Sequence, residues 1–212
     1  MNTLSTNLLD LTRRVDFRGW LSKYHATAGE CRLHVSKAYP TPVDVISYLD
    51  AVEEALCFGW IDSVHKIWRG TDMQRFSPRR RNSVWSELNK ERCRRLERLG
   101  LMQPTGRAVL PDIARHVGAW LCHCPRILAS FQAKPQAWTN FLAMPPLYQR
   151  VRIDTIQRDR SDMNRFNARI QRLIDSAAQG KLIGGMTMVG FSRYKSPPLI
   201  SPSRLLSQQA AK

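Results

Sequence analysis

The period of the apolar positions changes along the chain, and each change marks an expected element. Residues 1–15 show no sustained period and read as a loose lead-in. From Asp16, a residue type that caps helices, apolar positions recur at Phe17, Trp20, Leu21 and Tyr24, the spacing of one helical face. Cys31, Leu33 and Val35 then alternate with Arg32, His34 and Ser36, a two-residue period that predicts a strand. The stretch 40–42 is a proline-bounded connection. Ser47 and Asp50 open a helix with Tyr48, Val52, Ala55 and Leu56 on one face, and Gly59 stops it. Residues 60–68 and 71–77 flank Gly70 and predict an antiparallel hairpin, which Pro78 ends.

Beyond Pro78 the period is helical. A helix is expected from about Ser83 to Leu99, stopped by Gly100, with the stripe Trp85, Leu88, Leu96 and Leu99. Arg92 falls inside that stripe and Asn89 at its edge, so both need a partner or a ligand. Leu110-Pro111 and Cys124-Pro125 are break points. Helices are expected over 126–132, 136–143, 147–159 and 162–179, the last capped at Ser161 and closed by Gly180. From 186 the chain is rich in Ser, Pro and Gln and is expected to be disordered. The pattern predicts an α+β protein. A small antiparallel sheet with helices forms the N-terminal part, followed by an all-helical C-terminal part. The expected divisions are 1–15, a core over 16–106, a helical region over 107–185 and a basic tail over 186–212.

Charge changes this picture more than size does. The 212 residues hold 33 Lys and Arg against 17 Asp and Glu, a formal net charge of +16. Such a field concentrates anions, so nucleic acid, anionic lipid and acidic ligands all become candidate partners. The five cysteines, Cys31, Cys57, Cys93, Cys122 and Cys124, are odd in number and sit mostly in apolar or helical patterns. That predicts free thiols, a reducing compartment and a cytoplasmic location. The first ten residues lack a signal pattern, and no apolar run reaches the roughly 20 residues that span a bilayer. No membrane insertion is expected. The oligomeric state is left open.

Four blocks carry a resemblance. Glu53-Glu54-Ala55-Leu56-Cys57-Phe58-Gly59-Trp60-Ile61-Asp62, then Gln74-Arg75-Phe76-Ser77-Pro78-Arg79-Arg80, Ser83-Val84-Trp85-Ser86 and Asn89-Lys90-Glu91-Arg92 resemble the YdeI/OmpD-associated, bacteriocin-protection family. Tyr24-His25-Ala26-Thr27 resembles its opening. The well-matched part covers roughly 16–106, and 125–185 is similar to the family's helical region. Ser63 stands where the family usually has Gly, and Ser77 where it usually has Thr. The resemblance implies a link to bacteriocin resistance, stress protection and porin association, and implies no reaction.

The blocks concentrate Trp60, Asp62, Arg75, Arg79, Arg80, Trp85, Asn89 and Arg92. Adjacent hairpin ends and the start of the next helix could bring them to one concave site. There, arginines would hold phosphate or carboxylate, a tryptophan would stack, and the helix start near Ser83 would offer free N–H groups. The competing reading is structural: Trp60 and Trp85 in the core, with Asp62 paired to Arg75 or Arg92. Glu53 and Glu54 point about 100° apart and cannot face each other as a catalytic pair, and at least one is expected to be solvated. Cys57 lies among apolar residues and reads as an inert thiol. Cys122-His123-Cys124, even with His116 near, lacks a second ligand pair at zinc spacing. No metal or cofactor is expected. Lys90, Arg92, Arg94, Arg95 and Arg98, with Arg150, Arg152, Arg158, Arg160, Arg165, Arg169 and Arg172, could track phosphates if their helices face one way. They could equally be a solvated, ion-paired surface. The leading expectation is a non-enzymatic protection protein that binds an anionic ligand or partner. The alternatives are an enzyme on a small anionic substrate, or a nucleic-acid-associated protein.

Overall fold

The structure is a computed structural model that describes residues 7–68, 70–111 and 124–183. The five strands are β1 (Leu8–Leu9), β2 (Cys31–Ser36), β3 (Ile46–Ser47), β4 (Trp60–Trp68) and β5 (Thr71–Pro78). Around them lie α1 (Arg14–Tyr24), α2 (Tyr48–Cys57), α3 (Glu87–Arg98) and α4 (Pro104–Ala108). Then come α5 (Pro125–Gln132), α6 (Pro135–Ala143), α7 (Pro146–Gln157) and α8 (Met163–Ala178). This is an α+β fold with a helical C-terminal part.

The sheet runs β1-β2-β5-β4, with β3 also on β2. It is mixed, not purely antiparallel. β2–β5 and β5–β4 are antiparallel, while β1 and β3 run parallel to β2. The two parallel strands are two residues each, too short for a two-residue period to show in the sequence. One of them lies within the stretch read as a loose lead-in.

In the hairpin, Trp60 pairs with Pro78 and Asp62 with Phe76, and the register shifts between Asp62 and His65. Paired residues share a face, so Trp60, Asp62 and Phe76 point to one side and Arg75 to the other. The inner face meets α1, α2 and α3 around Phe17, Leu33, Leu56, Trp60, Phe76 and Leu96. Trp60 is wedged edge-on against Trp20 and donates from Nε1 to the carbonyl of His25. Gly59 has φ +77°, as a helix-ending glycine should. A Cβ at Gly106 would overlap the carbonyl of Cys57, so only glycine lets α4 sit this close to the end of α2.

Three local readings are corrected. α1 begins at Arg14, and Asp16 lies in its first turn, paired with Arg13, rather than capping it. α3 begins at Glu87, with Ser86 as N-cap accepting from the amide of Asn89. Trp85 is therefore buried from a loop, not from the helix, and Leu99 is exposed at the C-cap. The short α4 had no apolar period to announce it.

Candidate functional site

α1 and α3 flank α2 and bring guanidiniums to its two adjacent glutamates. Glu53 and Glu54 are 1% and 2% exposed, so neither is solvated, against expectation. Arg14 contacts Asp50 at 2.9 Å, Glu53 at 3.1 Å and Glu54 at 2.5 Å. Arg18 reaches Glu54 at 2.7 Å, and Arg95 reaches Glu53 at 3.1 Å. Burial would lower the pKa of Arg14, but the surrounding carboxylates raise it on balance. Three cations face three anions, and the cluster pins three helices together.

A second network joins α3 to α7. Arg150 contacts Glu91 at 3.1 Å and Glu87 at 3.8 Å. Lys90 pairs with Glu87 and Arg94 with Glu91. The amide of Glu87 donates to Asp154, which also holds Arg158. The start of α3 thus faces a carboxylate of this chain and not an anion site. Arg165 and Arg169 go to Asp159. Much of the basic charge expected to track phosphates is committed to internal acids.

The loop between β5 and α3 differs. The amide of Arg79 donates to Gly59 at 2.9 Å, extending the hairpin ladder by one residue. The chain then turns, with the Ser83 amide donating to Arg80 and Asn82 at φ +65°. That turn carries Trp85 back under Arg79, whose guanidinium carbon lies 3.7 Å from the ring centroid. Arg79 is 9% exposed, and its Nη2 donates to the carbonyl of Val84 at 3.0 Å. Its Nε and Nη1, and the hydroxyl of Ser83 in the same loop, are buried with no hydrogen-bond partner among the described residues. Burial pushes the Arg79 pKa down, while Cys93 and Asp62 act the other way. Arg80 and Arg81 are exposed.

Asp62 enters from the inner face of β4. Its Oδ2 accepts from the Tyr48 hydroxyl at 2.6 Å. Burial, then the charge of Asp62, raises the Tyr48 pKa, and Arg92 opposes the rise. Arg92 is 6% exposed, so it does not extend into water, and its Nη1 donates to Asn89 Oδ1 at 2.6 Å. Burial pushes the Cys93 thiol up to about 12, with Arg79 and Arg92 acting against it, so it stays protonated. Cys57 is pushed up to about 11, chiefly by burial.

The sequence-predicted set therefore divides. Asp62, Arg79, Trp85, Asn89 and Arg92 gather with Tyr48, and Ser83 lies in the loop that carries Trp85. Trp60 is core. Arg75 sits on the opposite face of the sheet, bonded to Glu30 at 2.6 Å and to Ser63. Among the described residues Asp62 pairs neither with Arg75, which lies on the opposite face of the sheet, nor with Arg92, and its Oδ2 is held by Tyr48. Arg80 lies exposed in the turn. Tyr48 was assigned only to an apolar helix face; its hydroxyl, which needs a partner when buried, was the available signal. Among the described residues no group of three His, Cys, Asp or Glu side chains is placed to hold a metal. Cys122, His123 and His116 lie outside them, as does the tail expected over 186–212. No helix among the described residues is long and apolar enough to cross a membrane.

Fold and site define an α+β protein with a guanidinium-centred polar site on its sheet. Residues 125–180, about a quarter of the chain, match the family described as Bacteriocin-protection, YdeI or OmpD-Associated. Residues 9–109 match a domain of unknown function, DUF8412. The four sequence blocks that suggested the family fall in this second segment, so the family match lies in the helices rather than over the expected 16–106. No curated protein and no solved structure matches the chain.

Proposed function

We propose that the protein acts by binding, without catalysis, and that its ligand is an anion received at Arg79. The protective role in the family's description would then be exercised through that ligand. One observation carries the reading: an arginine nine-tenths buried, its guanidinium stacked on Trp85, with two of its three nitrogens lacking an acceptor among the described residues. A buried charge without a counter-charge costs stability. Arg14, Arg18 and Arg95, which are less deeply buried, each meet carboxylates. An anion would complete Arg79 and accept from the unpartnered Ser83 hydroxyl as well.

The test is thermal denaturation of the full chain with phosphate, pyrophosphate, nucleotides and sugar phosphates at matched ionic strength. A ligand at a hundred times its Kd adds about 2.7 kcal/mol, or roughly 5–10 °C for a chain of this size. Arg79→Met should abolish the shift in a protein that still folds. The reading fails if no anion raises the melting temperature, or if the shift survives Arg79→Met. A shift with oligonucleotides that survives in this variant but is lost on replacing Arg80 and Arg81 would instead favour a nucleic-acid surface.

A further inference from the structure

Asp62 is an odd neighbour for an anion site. A carboxylate beside Arg79 should repel an incoming anion, and the simplest arrangement would let the two pair. They do not pair. Asp62 is held on Oδ2 by the Tyr48 hydroxyl at 2.6 Å, and among the described residues no donor reaches its Oδ1. Arg79 is held by its stack on Trp85 and by the carbonyl of Val84. Elsewhere on the sheet and its covering helices, carboxylates and guanidiniums close on each other, as in Glu30 with Arg75, Glu54 with Arg18 and Glu53 with Arg95. Here a cation and an anion at the same end of the fold are each fixed by an uncharged group and, among the described residues, left without an ionic partner.

We infer that the ligand is amphoteric: an anionic group for Arg79 and Ser83, and, close to it, a hydroxyl or ammonium that donates to Asp62. This rests on the anion reading above and narrows it to hydroxy acids, amino acids and compounds that present the same pair of groups. Such a ligand satisfies the open donors of Arg79 and the open Oδ1 of Asp62 together. A plain anion satisfies only the first and meets the charge of Asp62 without compensation. Because both side chains are already held, binding would cost little ordering of the protein. A hydrogen bond to a charged acceptor contributes enough to separate the two ligand types by at least about tenfold in Kd.

The experiment is an NMR titration of the full-length protein with acetate, glycolate and glycine at neutral pH and fixed ionic strength, followed at the tryptophan indoles. Phosphate serves as a general anion probe. Glycolate and glycine should bind about tenfold or more tightly than acetate. Asp62→Asn, nearly isosteric at a partly exposed position, should bring the three within about twofold of one another and leave acetate binding no weaker. Arg79→Met should remove binding of all of them. If acetate binds as well as the other two and all depend on Arg79, the amphoteric inference is overturned and the anion reading stands. If the preference survives in Asp62→Asn, Asp62 is not its source and the inference is again overturned. If no probe binds, phosphate included, both fall.

Discussion

Arg14, Arg18 and Arg95 on one side, and Arg79 on the other, show two ways in which this chain handles a guanidinium near its core. The first three keep roughly a third of their side chain open to water and still meet carboxylates at 2.5–3.1 Å. Arg79 is buried more deeply, yet receives one carbonyl and one indole face. Desolvation should make the deeper group the one most in need of a counter-charge. The balanced cluster has what a structural device requires, since its charges cancel and every member ties one helix to another. The unbalanced one lacks what stability alone would supply. That difference makes residues 79–85 the better place to look for function, even though all these arginines look alike in composition.

The largest expected effect breaks the balanced side. Glu53→Gln removes one partner of Arg95 and one of Arg14. Stability should fall by about 3 kcal/mol, the low end for a broken buried pair because both arginines retain a path to water. Urea denaturation measures it; a loss below about 1 kcal/mol would mean the cluster is not the structural clamp described. Arg150→Met comes next. It unties α7 from Glu87 and Glu91 on α3, which keep Lys90 and Arg94, so a loss of about 1–2 kcal/mol is expected by the same measurement.

Arg79→Met sharpens the contrast from the other side. It keeps the stem on Trp85 and removes a desolvated charge that has no counter-ion. The expected change in stability is within about 1 kcal/mol, with a gain as admissible as a loss. Anion-induced stabilisation should disappear. A loss of several kcal/mol would place Arg79 with Arg14 and Arg95 as a fold-holding residue and remove the basis for the site.

How much of this was legible in the sequence depends on range. The hairpin showed because Gly70 and Pro78 bound two strand-like runs, and α2 showed because Gly59 ends it. Arg92 and Asn89 were legible as a polar pair on a buried stripe, and they do bond each other. The strand pairings β1–β2 and β2–β3 were not, because two-residue parallel strands have no period. The partners of Glu53 and Glu54 were also hidden, since Arg14, Arg18 and Arg95 lie about 36–42 positions away and only the packing of α1 and α3 brings them in. Arg75 was grouped with Asp62 because hairpin ends lie side by side. Strand parity, fixed by the Asp62–Phe76 pairing, puts it on the other face. Local chemistry was readable; the face a residue presents required the register.

The smallest expected effect belongs to that other face, where an ion pair is open to water and should behave unlike both buried sets. Glu30 accepts from Arg75 and also contacts Arg32, each side chain being partly exposed. The hydrogen bond from Arg75 is the main cause that holds the Glu30 carboxyl below its ordinary pKa. A carboxyl whose pKa is depressed in the folded state adds stability above its unfolded pKa and loses it as pH falls through the folded value. Arg75→Gln should therefore cost about 0.5–1 kcal/mol at neutral pH, as expected for an exposed pair. The gap from the parent protein should stay constant down to the ordinary carboxylate range near pH 4.5. Below that it should shrink, because protonated Glu30 gives Arg75 nothing to lose. Urea melts of both proteins at neutral pH and at several acid values read this gap directly, and the other carboxylates cancel in the difference. A gap that keeps its size through the acid range would mean that Arg75 acts through Ser63 and its packed stem. The charge of Glu30 would then have no part in holding this face of the sheet.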